Sequence, residues 1–430
     1  MYDNIIHLLY LDTIKNRIEQ LEVERVNQVL RIEIKLKKES LNCPICQAQT
    51  KFHSYRLKQI KYSLHGQESY QVIYHSRRYK CPLCKKYISE RNPFTNKHKN
   101  LSNLTKRSIL EVLKEPERTF KDIALQHHVS SQTVINIFDQ TIDAKRLPLG
   151  KTICMDEVFI SKRKGSPYAC VLYDFDRRKI IDVISTRHKH YLNQYFLRIP
   201  IEEKDQVEVF IIDMWESYKD VIQANFPKAL IAVDSFHVIA NLNRAMDRIR
   251  IDTMNRFRLN KTKLINNDMY YYMLKKFHFF FKIDLDRLRD FKPVYIQKLD
   301  THWDKTTILD YLLSIDETLT RCFKLKERYR YFNLTAEYET CDQELDELIN
   351  EFISNPVSEF REFGRMLKNW RKEIKNSFLT SCGRRISNGP IEATNSRIKT
   401  IIKTSNGIQN FYRLRNKIMY SINKYVPFKN

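Results

Sequence analysis

Two short motifs, Cys43-Pro44-Ile45-Cys46 and Cys81-Pro82-Leu83-Cys84, restrict what the N-terminal part of this chain can fold into. Each Cys-x-x-Cys turn presents two sulfurs to one ion, so a matched pair predicts a closed, tetrahedral four-thiolate Zn²⁺ site. The 34 residues between the pairs alternate in strand fashion, as in Tyr70-Gln71-Val72-Ile73-Tyr74, which fits two knuckles closing over a short sheet. A redox pair or chance spacing is the competing reading; two turns of the same form, each with proline after the first cysteine, favour structural zinc. Such a closed site holds the fold and leaves no position for chemistry. His53, His65 and His75 lie between the pairs and read as surface or nucleic-acid contacts, four sulfurs being enough. Cys154, Cys170, Cys322, Cys341 and Cys382 are scattered and read as buried small apolar residues. Nine cysteines, an odd number, argue against a disulfide framework.

Charge points to the partner. The 430 residues carry 75 Lys and Arg against 51 Asp and Glu, a net +24. Residues 1–150 hold 26 basic and 15 acidic groups, 151–360 hold 33 of each, and 361–430 hold 16 and 3. Two basic ends flanking a balanced middle repel themselves unless a polyanion screens them, which favours nucleic acid over an anionic membrane surface. No run approaches a membrane span and the first residues lack a signal-peptide pattern, so a cytoplasmic, soluble protein is expected.

Glycine and proline divide the chain. Residues 91–103 read as a basic linker and Pro148-Leu149-Gly150 as a second boundary, giving blocks at 1–92, 103–147 and 151 onward. No glycine lies between Gly165 and Gly364, and Pro293 is the sole proline within 228–355, so that stretch reads as mostly helical.

The second block carries a helix-turn-helix pattern over Thr119–Phe138. Ile123 and Ala124 form one inner face, Val129 plugs the turn, and Val134, Ile137 and Phe138 form the next. His128 stands where glycine is common, which histidine tolerates at positive φ. Ser130 or Ser131 caps the second helix, leaving Ser131, Gln132, Thr133 and Asn136 near its N-terminus, where base edges are read. Glutamine and asparagine suit adenine.

The third block carries the chemistry. Lys151–Ile160 is a strand with Asp156 in its middle, followed by strands at Tyr168–Asp174 and Lys179–Ile184 around a charged turn. A helix over His188–Ile199, a strand ending at Asp213, a helix from Glu216 and a strand ending at Asp234 come next. A three-strand meander followed by alternating helices and strands describes an RNase-H-like α/β core, in which acids at strand ends line the ligand crevice. Phosphodiester chemistry uses two divalent cations about 3.5–4 Å apart. Mg²⁺, or Mn²⁺ in its place, takes a few carboxylates plus water and phosphate oxygens. Asp156 and Asp213 supply two carboxylates, and a late helix should supply a third. From 361 onward the acids are Glu362, Glu373 and Glu392. Glu392 follows Ser387-Asn388-Gly389-Pro390 and shares a polar helix face with Asn395, Ser396 and Lys399, so it is chosen. Asp174 and Asp182 flank the hairpin and read as structural. Asp234 and His237 read either as a cap and a helix-face histidine or as neighbours of the acidic site. Arg384, Arg385, Arg397, Lys399 and Lys403 surround the acid helix and suggest a phosphate track, with a solvated basic face as the alternative. The run Phe277-His278-Phe279-Phe280-Phe281 reads as core, with base stacking as the other reading.

The zinc pairs, the helix-turn-helix, Asp156-Glu157, Ile212-Asp213-Met214, Val233-Asp234-Ser235-Phe236-His237 and Ser387–Asn395, in that order, resemble the bacterial transposases of the ISL3 insertion-sequence family. The resemblance implies a DDE transposase that binds terminal inverted repeats, cleaves at their 3′ ends with Mg²⁺ and joins them to target DNA. It maps the catalytic, magnesium-binding triad onto Asp156, Asp213 and Glu392, and implies a helical insertion between Asp213 and Glu392. Asp234-x-x-His237 resembles an accessory signature of related Mutator-type enzymes. The expected fold is multidomain α/β: a zinc-ribbon-like domain over 1–92, a helix-turn-helix over 103–147, and an RNase-H-like catalytic core over 151–250 and 376–430 interrupted by a helical insertion over 251–375. The partners expected are double-stranded DNA at transposon ends and targets, and a second copy in a synaptic homodimer, acting at the bacterial nucleoid. Two other classes compete: a DNA-binding regulator on an inactive fold, and a metal-dependent nuclease that hydrolyses without joining. A complete triad argues against the regulator. The zinc and helix-turn-helix modules argue against a nuclease that reads shape alone.

Overall fold

The computed structural model describes residue 6 and residues 11–26, 29–63, 70–161, 166–259, 265–283, 285, 292–405 and 408–424. The chain forms two units, Met1–Lys145 with Arg397–Asn430, and Arg146–Ser396. His65 lies outside the described residues.

In the first unit, β1 (Ile18–Val26), β2 (Val29–Leu36), β3 (Lys51–Tyr62), β4 (Tyr70–Lys80) and β5 (Tyr87–Ser89) form one sheet in the order β1-β2-β4-β3, with β5 also on β4. Alternation along β2 and β4 sends Ile32, Ile34, Val72 and Tyr74 into a core closed by Ile60, Tyr62 and Phe94. The two cysteine turns sit at the β3 and β4–β5 ends of this sheet and repeat one geometry. Gln47 and Lys85 each adopt positive φ (58° and 59°) and return a backbone N–H to the carbonyl of Cys43 or Cys81.

Three helices follow: α1 (Asn103–Val112), α2 (Phe120–Gln126) and α3 (Ser131–Thr141). Thr119 and Asp122 cap α2 reciprocally. Ser130 is the N-cap of α3 and accepts from the Thr133 N–H. His128 takes φ 51° in the turn, the conformation expected of the residue at the glycine position. The apolar faces of α1–α3 meet around Ile109, Leu113, Ile123, Val134 and Phe138. That small core is completed by helix Phe411–Asn423, whose Tyr420 packs edge-on against Phe138 with centroids 5.9 Å apart. Arg413 of the same helix grips Asp139 on α3 with Nη2–Oδ2 at 2.6 Å. This basic segment, expected with the catalytic core, belongs to the first unit, where its Arg413, Arg415 and Lys417 are occupied in holding the helix-turn-helix.

The second unit is built on a sheet of β6 (Thr152–Phe159), β7 (Tyr168–Asp174), β8 (Lys179–Ile184), β9 (Val209–Ile212) and β10 (Leu230–Val233), ordered β10-β9-β6-β7-β8. The meander β6–β7–β8 is antiparallel, whereas β9 and β10 run parallel to β6. Parallel strands need crossovers, and α4 (Lys189–Leu197) and α5 (Glu216–Asn225) supply them. All four residues of β9 are buried, as a central parallel strand requires. Asp174 is buried and takes the Arg177 backbone N–H and Nε, each at 2.6 Å, while Asp182 accepts from the Tyr195 hydroxyl at 2.9 Å. Both acids are thus structural.

Helices α6 (Ser235–Leu259), α7 (Ile265–Lys276), α8 (Lys305–Ser314), α9 (Glu317–Thr335), α10 (Cys341–Ile353), α11 (Ser358–Asn369) and α12 (Arg371–Asn376) follow. A hairpin, Val294–Ile296 with Thr301–Trp303, interrupts them directly after Pro293. Phe277, Phe280 and Phe281 are buried with Phe323, Tyr329 and Phe352 in a core shared with the sheet, so the aromatic run is packing. Cys154, Cys170, Cys322 and Cys341 are buried as expected, whereas Cys382 is exposed beside a turn at φ 50°. After α12 a small hairpin, Thr380–Ser381 with Arg384–Arg385, leads into α13 (Gly389–Thr404).

Candidate functional site

The four knuckle sulfurs converge. Cys43 and Cys84 Sγ lie 3.4 Å apart, Cys46 and Cys81 3.4 Å, and Cys46 and Cys84 3.9 Å, with all four within 4.8 Å of one another. A disulfide would need about 2.05 Å. Four sulfurs at about 2.3 Å from one tetrahedral ion lie about 3.8 Å apart, so these spacings fit a four-thiolate site and no disulfide. Backbone N–H groups of Cys46 and Ile45 pull the Cys43 thiol down to about 6, toward the thiolate that binds metal.

The acidic site is a consequence of strand register. Cys154 on β6 pairs with Ile211 on β9, and Ile212 on β9 pairs with Val233 on β10. Continuing both registers sets Asp156, within β6, beside Asp213 and Asp234, which stand just past the C-terminal ends of β9 and β10, the side on which ligands bind in open α/β sheets. Each is oriented differently. Asp156 accepts the Glu157 backbone N–H at 2.7 Å and the Asn395 amide at 2.8 Å. Asp234, 2 % exposed, accepts the Asn388 backbone N–H at 3.2 Å. Oδ1 of Asp213 and Oδ2 of Asp234 are buried and have no hydrogen-bond partner among the described residues.

From the other side, α13 brings Glu392 in its first turn, half-exposed, with Oε1 3.8 Å from His237 Nε2. Asp234, His237 and Glu392 offer ligand atoms within 4.8 Å of one another. The structure therefore joins Glu392 to Asp234 and His237 at one end of the row and Asn395 to Asp156 at the other. Asn395, expected on an open polar face, is buried against the strand-end acid.

Electrostatics mark the row as a site whose buried carboxylates are only partly compensated. Burial pushes the Asp213 carboxyl up, the Asp156 charge adds to this, and His237 and Arg187 oppose it. Burial also raises Asp234, against the Asn388 N–H and His237. Crowded carboxylates with orphaned oxygens are what a divalent cation would satisfy, and the donor set of carboxylates plus one imidazole accepts Mg²⁺ or Mn²⁺.

Of the other candidates, Gln132 and Asn136 are exposed on α3 and joined by a 2.7 Å hydrogen bond, with Ser131 and Thr133 half-buried beside them. Arg384, Arg397 and Lys399 are exposed. Arg385 differs: its guanidinium donates to the Asn333 and Ser377 carbonyls and lies 4.1 Å from the Phe378 ring centroid, so its fork is occupied inside the second unit. Of the knuckle-domain histidines, His53 lies 3.2 Å from the Tyr87 hydroxyl and His75 3.1 Å from Glu33. Sequence reading missed Arg187, which pairs with Glu157 beside Asp156. No local pattern marks it, because its ring neighbours Tyr168 and Trp215 are remote in sequence.

One chain thus carries a four-cysteine knuckle, a helix-turn-helix and a row of acids on an α/β sheet. Residues 153–418 match the transposase model of the ISL3 family and residues 90–142 match the helix-turn-helix domain of ISL3 transposases. The chain belongs to the ISL3 transposase family. A relative, the transposase for insertion sequence element IS1001 of Bordetella parapertussis, is 23 % identical over 257 residues, 59 % of this chain and 57 % of that protein. A protein of Lactococcus lactis subsp. lactis named ATP-dependent protease is 27 % identical over 125 residues, 29 % of this chain and 37 % of its own length. The chain therefore spans less than two thirds of either relative. No helix among the described residues is long and apolar enough to cross a membrane.

Proposed function

We propose that this protein is a DDE transposase that binds the terminal inverted repeats of an insertion sequence, cleaves at their 3′ ends and joins those ends to target DNA. The observation that carries the reading is the row Asp156, Asp213, Asp234 on three neighbouring parallel strands, met by Glu392 from α13. The order β8-β7-β6-β9-β10, with β7 alone antiparallel to its neighbours, supports an RNase-H-like core. In this reading the core occupies 151–250 and 376–396, the helices over 251–375 are an insertion, 1–92 and 103–147 are the zinc-ribbon-like and helix-turn-helix domains, and the basic segment from 397 onward belongs with the helix-turn-helix.

In cleavage, a water oxygen bonds to phosphorus as the P–O3′ bond breaks and the departing oxygen takes a proton. In joining, the oxygen of that 3′-hydroxyl bonds to a target phosphorus as the target's own P–O3′ bond breaks, and the proton it gives up ends on the departing target 3′-oxygen. Asp156, Asp213 and Glu392 would hold Mg²⁺ or Mn²⁺, with Asp234 and His237 as accessory ligands. Bound there, two divalent cations activate the attacking oxygen and stabilise the leaving one. Asn395 and the Glu157 N–H fix the Asp156 carboxylate, and the Asn388 N–H fixes that of Asp234, so the ligands are preorganised. Ser131, Gln132, Thr133 and Asn136 would read the repeat, and Arg384, Arg397 and Lys399 would contact phosphates, while Cys43, Cys46, Cys81 and Cys84 hold Zn²⁺. Two DNA ends must be brought together, so a homodimeric synaptic complex on chromosomal DNA in the bacterial cytoplasm belongs to the proposal.

The test is incubation of the full chain with a duplex carrying the repeat that borders its gene, with Mg²⁺ or EDTA, resolved on a denaturing gel. Metal-dependent nicks at the repeat terminus, together with joined products, are expected. Asp156→Asn, Asp213→Asn and Glu392→Gln should each abolish them while leaving end binding, because these acids hold metal and do not attract phosphate. Tight binding without cutting in any divalent ion would support the regulator; nicks without joined products would support the nuclease.

A further inference from the structure

Arg187 lies between β8 and α4, and its side chain is held on several sides. Its guanidinium carbon is 4.4 Å from the ring centroid of Tyr168 and 4.7 Å from that of Trp215, and Nη1 donates to Glu157 Oε1. Glu157 follows Asp156 in β6, and Trp215 stands two residues beyond Asp213, so the arginine is anchored to the two chain segments that carry these acids. Its side chain is 31 % exposed, and Nε and Nη2 have no hydrogen-bond partner among the described residues.

This arrangement exceeds what a structural ion pair needs. A DNA phosphate entering the site meets Asp156, Asp213, Asp234 and Glu392, all of its own charge sign. A guanidinium whose plane is set by aromatic rings, with N–H groups still unused, is suited to the oxygens of a phosphodiester, and ordering it beforehand reduces the entropy lost on binding. We propose that Arg187 is a substrate-contacting residue of this site that binds a backbone phosphate next to the scissile one. Tyr168 and Trp215 fix its plane, and Glu157 holds it until DNA arrives. The assignment rests on the transposase reading above.

The experiment measures affinity of the full chain for the repeat-bearing duplex across a salt series. Ca²⁺ replaces Mg²⁺, an ion of the same charge whose looser geometry supports binding more readily than in-line chemistry. Each phosphate contact contributes about 0.9 to the slope of log affinity against log salt, so Arg187→Gln and Arg187→Ala should lower the slope by about that amount. Arg187→Lys keeps the charge and should restore the slope while still cutting slowly in Mg²⁺, because the planar fork is gone. Glu157→Gln releases the arginine without removing it and should leave the slope undiminished, which keeps the test decisive even if the Arg187 variants fold poorly. Equal slopes for wild type and Arg187→Gln, or a lowered slope in Glu157→Gln, would overturn the assignment while wild-type cleavage leaves the transposase reading standing. Wild-type protein that neither binds nor cuts the duplex would remove that reading, and the role of Arg187 with it.

Discussion

Lys417 offers a test of how the helix-turn-helix is held. It sits on helix Phe411–Asn423, 2 % exposed, with Nζ 2.5 Å from the Leu113 carbonyl and 3.1 Å from that of Glu115. Burial pulls its ammonium from 10.5 down to about 7, with the Glu115 charge opposing. In the unfolded chain the same lysine keeps its proton to about pH 10.4. Above pH 7 the unfolded state therefore binds more protons than the folded state, and stability rises with pH at up to about 1.4 kcal/mol per pH unit. Half the folded molecules have already lost the proton at the start, so the gain between about pH 7 and pH 9 is about 2 kcal/mol. The assay is urea denaturation of the full chain and of Lys417→Met over that interval at fixed zinc, followed by far-ultraviolet circular dichroism. The readout is the difference in pH slope between the two proteins, which removes the thiol contributions they share. Trp215, Trp303 and Trp370 all lie in the second unit, so their fluorescence transition is an internal control that should not move. Parallel pH curves for the two proteins would refute the reasoning, and would mean that the two carbonyls hold the proton against burial.

Two further outcomes are expected. Cys81→Ser should release zinc, loosen the β1–β5 sheet and weaken DNA binding, since structural zinc contributes folding energy directly; unchanged zinc content and melting would remove the zinc site. Gly150→Ala should destabilise the second unit by about 1–3 kcal/mol, because a Cβ there would stand 1.9 Å from Asp174 Oδ2, in a carboxylate already fixed by Arg177. Tryptophan fluorescence during urea denaturation measures it, and a midpoint equal to wild type would show that the carboxylate yields freely.

The parts legible in the sequence were those whose signal is local. A Cys-x-x-Cys turn needs only a few neighbouring residues, and both knuckles fold as read. The α2–α3 pattern is equally short, down to positive φ at His128 and the cap at Ser130. Asp156, Asp213 and Asp234 were visible as acids within or just after apolar strands, because alternation and strand length are written in consecutive residues. Glu392 emerged from a tail with few acids. Arg187 stayed hidden for the opposite reason: nothing in Ser185-Thr186-Arg187-His188 differs from any basic loop.

Local sequence was enough to specify the elements, the two cysteine turns and the acids within or just after apolar strands, since each depends on propensity and periodicity over a few residues. Tertiary structure alone decided what those elements do to one another. It turned Asn395 inward onto Asp156, filled the fork of Arg385 with carbonyls, set Arg187 against Tyr168 and Trp215, and gave the helix-turn-helix a core residue, Tyr420, from near the far end of the chain. The same guanidinium or amide can face solvent, a carbonyl or a carboxylate at little intrinsic difference in energy. Which one it meets is set by packing between residues far apart in sequence, and no local pattern encodes that.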